Sequence, residues 1–439
     1  MKRGFALLIV LQSMSGCSFA FSTIGSWTVE APPPATITTN HLVALADGRV
    51  ALFGDYTLQT GQASPKVLLF DPATGRWTNG APLPGPAYPD FAVQLPDGTV
   101  LVEGGYDPAT GALSGATWIY DPARNSWSQA GSLAPAQSGP SYAVLSDGRV
   151  LIAGGGVPLT EPETLPNGTI VNFEPTTIAE IFDPNTKVWS PAGHLQVARS
   201  GISLVALSGG GALAAGGCQG AAGWTPPVAT SEVFDPVTYT WSLTTPTPIP
   251  MCGSTNAALR DGRALVVDQF TFGTVERYFF NPSENAFVYD PKTRQWSVTG
   301  ALAGGGTSAL TLSDGRVMVP ETQAGQVQGH TFEEMVGGQI FDPATNQWAF
   351  ASTTSVTLPV LYLYNGGGTE LAVSLPNGSA LVFLPTATLA FHPQVAPPPT
   401  QVLDSTGLTL LLLAAAAVIA ILMLVAYRRA GRVDLNKLA

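Results

Sequence analysis

The chain has 439 residues and a formal net charge of −11; 45% of its residues are hydrophobic, only 11% are charged, and it holds 48 Gly and 37 Pro. So many turn formers among scattered Val, Leu and Thr exclude a helical bundle and point to an all-β fold of many short strands. The acidic balance excludes nucleic acid as a partner and disfavours anionic lipid surfaces.

Residues 1–20 carry Lys2 and Arg3, then an apolar run over 5–11, then small residues. That is the order of a secretion signal, and the run is too short to span a bilayer. Cleavage can follow Ala20; alternatively "MSGC" is similar to a bacterial lipobox, which would make Cys17 a lipidation site. The segment "GSWTVEAPPP" follows, with Trp27 in an alternating pattern that stops at prolines.

Two motifs then alternate along the chain. The first is "LADGRVALFGD" from Leu45, with variants from Leu95, Leu145, Leu207, Leu259, Leu312 and Leu375, at spacings of 50, 50, 62, 52, 53 and 63 residues. The second is "LLFDPATGRW" ending at Trp77, with variants ending at Trp127, Trp189, Trp241, Trp296 and Trp348. Asp-Gly predicts a two-residue hairpin turn of positive φ between strands a and b. Asp-Pro opens the turn between strands c and d, and Gly75, Asn125 or Asn346 supplies a left-handed residue two places before the tryptophan. Four strands in about fifty residues make one propeller blade.

Asp-Gly-Arg-Val, a strand ending Gly-Gly, and Tyr/Phe-Asp-Pro-x-Thr-x-x-Trp together resemble the kelch repeat over nearly the whole region 27–393. The segments at Asp268, Pro320 and Pro385 depart from it, because Gly-Gly is absent there. The resemblance implies a seven-bladed β-propeller of four-stranded blades, covering 24–394. Seven motifs of the first kind against six of the second leave one blade without its outer strand. The Trp27 segment is expected to supply that strand and close the ring without a covalent bond. The tryptophans are then structural, burying rings between blades that cannot cover their own faces.

In such a ring the a–b and c–d turns share one face. The b–c loops and d–a crossings share the other, where the length varies: 156–177, 217–230, 268–285 and 320–337. Variable loops on a rigid scaffold are the expected binding surface. Tyr56, Tyr106, Trp224, Asp268, Arg277, Tyr278 and Glu321 are its candidate ligand contacts. Cys218 and Cys252 both fall on that face near one blade junction, which predicts a disulfide.

Catalytic and metal signals are absent from the motifs: none of the four histidines stands at ligand spacing. Some propellers of this kind are copper radical oxidases similar to galactose oxidase, which need a Cys-crosslinked Tyr, a second Tyr and two His; no matching motif is seen. A sialidase-like site needs clustered arginines, for which only Arg199 and Arg277 lie on the variable face. No cofactor is expected.

Residues 395–407 read as a Pro-rich stalk and 408–427 as a transmembrane helix. The basic tail 428–439 is then cytoplasmic and the propeller extracytoplasmic. The expected role is binding or adhesion at a cell envelope, with a protein or glycan as ligand. A carbohydrate-active enzyme and a structural subunit of an envelope assembly are the alternatives.

Overall fold

A computed structural model describes 25–394, excepting 35–40, 58–61, 86–88, 107–111, 165–169, 221–226, 269, 273–279, 283–284, 301, 303–307, 329–330, 360–370 and 385–386. The expected signal segment with Cys17, the stalk, the membrane helix and the tail lie outside the described residues.

Seven antiparallel sheets follow one another in the order a-b-c-d. Blade 1 is His41–Ala44, Val50–Thr57, Gln62–Asp71 and Arg76–Asn79. Blade 7 takes three strands from the C-terminal side, Leu371–Ser374, Ala380–Leu384 and Ala387–His392. Its fourth, outer strand is Ser26–Glu30, with Trp27 opposite Phe391. The described residues therefore form an all-β, seven-bladed propeller closed by its N-terminal strand.

The tryptophan repeat explains itself in the packing. Each indole leans on the aromatic opposite it in strand c, at centroid distances from 4.9 Å for Phe70–Trp77 to 5.2 Å for Phe182–Trp189. Each indole N–H then donates to the preceding blade: Trp77 to Ala31 O, Trp127 to Ala81 O, Trp241 to Ala192 O and Trp296 to Thr245 O. Trp189 and Trp348 reach Thr117 and Thr299 hydroxyls instead. Trp27 makes the same bond to Ser352 O, across 325 residues of sequence. The ring's last joint is thus chemically one more copy of the others. Apolar side chains of facing b and c strands fill each junction, as Leu101, Ile119, Ile152 and Phe182 do between blades 2 and 3.

Two turn readings change. The Asp-Gly turn is a three-residue loop, not a two-residue one: Gly48 N–H donates to Leu45 O, and Leu45 N–H to Arg49 O. Only the glycine has positive φ, 89° at Gly48, while Asp47 accepts the Arg49 N–H on its own carboxylate. A type I turn closed by a left-handed glycine suits the strand twist here and spares Asp the strained conformation. In the c–d turn all six residues two before Trp are left-handed, including Lys187, Tyr239 and Arg294. The bonds from Lys187, Tyr239 and Arg294 N–H to the Asp carbonyl four residues earlier hold that shape regardless of side chain.

The Asp-Gly-Arg arginines are clamps on this uniform face. Arg49 pairs with Asp47 and donates to Pro122 O of the next blade; Arg263 does the same with Asp261 and Pro343 O. Arg149 bonds the Tyr239 hydroxyl at 2.6 Å.

Candidate functional site

The long segments of the variable face, read from sequence as loops, are largely β-ribbons. In blade 3, Gly156–Thr164 pairs with Ile170–Pro175; in blade 5, Phe270–Phe272 pairs with Phe280–Pro282. In blade 6 the hairpin Val317–Gln328 and Thr331–Asp342 simply runs on past the blade and gains a further strand, Thr354–Pro359. A strand that continues needs no Gly-Gly stop, which accounts for the departure at Pro320.

This changes the status of the sequence candidates. Tyr56 and Tyr106 lie within strand b of blades 1 and 2, opposite Ala63 and Leu113, rather than in loops. Asp268 is only 2% exposed, its N–H bonded to Asn285 O. Glu321 is half-buried in the blade 6 hairpin and accepts a hydrogen bond from Gln339 Nε2; burial raises its carboxyl pKa. Trp224, Arg277 and Tyr278 lie outside the described residues. The described candidates stand on four different blades, 1, 2, 5 and 6.

Arg199 is also reassigned. It is wholly buried at the crossing from blade 3 to blade 4, paired with Glu232 at 2.8 Å, and donates to Gly216 O and Thr230 O. It cannot meet a ligand. One residue further, Ser200 and Cys218 exchange backbone bonds, and a disulfide joins Cys218 to Cys252 with Cα atoms 5.4 Å apart. Arginine and disulfide together brace one corner of the variable face.

Another group converges where blades 1, 2 and 3 meet, at the variable-face end of their inner strands. His41 begins strand a of blade 1 and donates to the Pro89 carbonyl; burial, opposed by that bond, lowers its pKa to about 4. The next residue of that crossing, Asp90, accepts the Gly139 N–H at 2.9 Å, and burial raises its pKa to about 6. Glu103, fully buried midway along strand b of blade 2, is raised well above the usual carboxylate value by burial and then by the Asp90 charge. It accepts Gly105 N–H on one oxygen while the other has no partner.

Tyr142, in strand a of blade 3, stacks on Phe91 with centroids 5.3 Å apart. Burial raises its phenol pKa, yet 41% of its surface is open to solvent. The phenol is thus crowded by protein on one side, where Phe91 stacks on it, and open to solvent on the rest of its surface. The only sequence signal for this site was residue type, with His41, Asp90 and Tyr142 at or near the start of strand a and Glu103 in strand b; nothing in the repeat distinguishes it.

The uniform face holds open clefts of about 350 Å³ between blades 7 and 1 and between blades 1 and 2, lined by Asp47, Asp71 and Asp121 among others. Their carboxylates already serve the turns, accepting Arg49, Ala73 and Ala123 N–H. The inner site on the variable face is therefore the better candidate.

No protein-family model and no curated protein matches the sequence. Among solved structures, the chain is similar to a fungal alcohol oxidase of the AA5 family determined in complex with copper: 16% identity, TM-score 0.55, 84% of this chain and 76% of that one. It is also similar to YjhT, at 16% identity and TM-score 0.50, over 74% of this chain and all of that one. At such identity the likeness is one of fold. The described residues do not fit a copper centre: no three His, Cys, Asp or Glu side chains among them are placed so that they could hold a metal ion, Cys218 is in a disulfide, and His194 is drawn to the Thr177 hydroxyl.

Proposed function

We propose that this propeller is a binding module that captures a neutral glycan at the inner end of its variable face. The observation that carries the reading is Tyr142, an aromatic platform held by Phe91 and 41% exposed to solvent. A sugar's C–H face stacks on such a ring, and its hydroxyls can exchange hydrogen bonds with the Asp90 carboxyl beside it. The glycan would be recognised by shape and hydrogen bonding on a rigid ring, with no bond made or broken. The apolar segment 408–427 supports membrane anchorage with the propeller outside the cell.

The test is a glycan array with the full chain, repeated with Tyr142→Ser. Capture of neutral glycans lost in the variant, at an unchanged melting temperature, is the expected result. Capture that ignores the substitution, or binding to none of the neutral glycans, would remove the proposal.

One observation favours a second reading, a carbohydrate-active enzyme. Asp90 and Glu103 are paired carboxyls pushed up by burial, the setting of a general acid. Release of reducing ends from a captured glycan, abolished by Asp90→Asn, would select it.

A further inference from the structure

The junction between blades 2 and 3 and the next one, between blades 3 and 4, share a backbone frame. Leu133 N–H bonds Gly115 O, as Leu195 N–H bonds Thr177 O. Ser138 and Gly156 exchange two bonds, as Ser200 and Cys218 do. Ala134 N–H donates to Glu180 Oε1 at 3.3 Å; Gln196 N–H donates to Glu232 Oε2 at 2.7 Å. Gly154 N–H bonds Ile178 O, as Gly216 N–H bonds Thr230 O, both at 3.0 Å. The sequences "LAPAQSGPS" and "LQVARSGIS" therefore superpose, and Gln137 stands where the other junction has Arg199.

The chemistry around that position differs sharply. Arg199 places its positive charge against Glu232 Oε1, Gly216 O and Thr230 O. In the earlier junction the corresponding acceptors are Glu180 Oε2, Gly154 O and Ile178 O. Gln137 is fully buried and neither its amide oxygen nor its nitrogen has a partner; Glu180 is 6% exposed and its Oε2 has none. A buried carboxylate and a buried amide left this way are costly, and in folded proteins such groups have partners. Glutamine is also shorter than arginine and carries no charge to set against Glu180.

We propose that a monovalent alkali cation, sodium or potassium, binds between blades 2 and 3, held by Glu180, the Gln137 amide oxygen and the Gly154 and Ile178 carbonyls. It takes the electrostatic place that the Arg199 guanidinium holds one blade later. The donors are all oxygen, which suits a hard cation and not a soft one. One carboxylate neutralises one positive charge, whereas a divalent ion would bury an unbalanced one. The site is two residues along the chain from Gly139, whose N–H Asp90 accepts, and is independent of what the Asp90–Tyr142 cluster binds.

The experiment uses the full chain dialysed into N-methylglucamine chloride, then titrated with sodium or potassium chloride at fixed ionic strength. About one bound ion per chain by elemental analysis, with a saturable rise in melting temperature of roughly 2–5 °C, is expected. Gln137→Arg should rebuild the ion pair with Glu180, melt at least as high as the ion-loaded protein, and no longer respond to the salt. Glu180→Gln should lose both the bound ion and the response. Equal melting in all salts with no ion bound would overturn the proposal, the carboxyl of Glu180 then being protonated against Gln137. So would a Gln137→Arg variant that keeps the original response, or a response to calcium alone.

Discussion

Replacing Arg199 with methionine tests how the variable face is held. The guanidinium contacts Glu232 Oε1 at 2.8 Å, Gly216 O at 2.6 Å and Thr230 O at 2.7 Å, with no exposure to water. Methionine fills much of the volume but leaves Glu232 charged and buried, which costs about 3–5 kcal/mol. Thr230 O keeps the Gly216 N–H, so one carbonyl, Gly216 O, is orphaned at about 1–3 kcal/mol more. R199M should therefore lose about 4–8 kcal/mol in urea denaturation followed by the fluorescence of the inter-blade tryptophans. The double variant R199M/E232M removes both charges and should recover at least about 2 kcal/mol of that loss. A double variant as unstable as R199M, or more so, would show that the cost comes from packing and not from the stranded carboxylate.

Trp27→Ala should lose about 3–5 kcal/mol, because it removes the Phe391 contact and the bond to Ser352 that close the ring; a variant that melts like the parent would refute non-covalent closure at this strand. Opening the disulfide with C218S/C252S, which frees a loop of 34 residues, should cost about 3–4 kcal/mol by loop entropy, read as a lower denaturation midpoint and faster proteolysis at 217–230. Asp90 and His41 should pull stability in opposite directions with pH. Asp90 has a folded pKa near 6, above its unfolded value of roughly 4, so its burial weakens the fold as pH rises through that window. His41 has a folded pKa near 4, below its unfolded value of about 6.5, so stability is lost as pH falls from 6.5 towards 4. Asp90→Asn should thus stabilise at pH 7 and match the parent near pH 4; an advantage independent of pH would contradict the assignment.

The sequence by itself determined the number of blades, the position of each turn and the strand that closes the ring. Those are local or periodic properties: Asp-Gly, Asp-Pro and a tryptophan recur because every blade solves the same packing problem with its neighbour. The sharing of one face by Cys218 and Cys252 was legible for the same reason, since strand order alone fixes which end of a blade a residue occupies. The form of the Asp-Gly turn was not legible, because a type I turn with a bulge and a two-residue turn use the same dipeptide. Nor was the burial of Arg199, which depends on a glutamate 33 residues away in the next blade. The inner site shows the limit most plainly. His41, Asp90, Glu103 and Tyr142 belong to three different blades, and no other copy carries the same residue at the matching position. Only closing the ring brings those positions within reach of one another, and only there do desolvation and the neighbouring carboxyl reset their protonation.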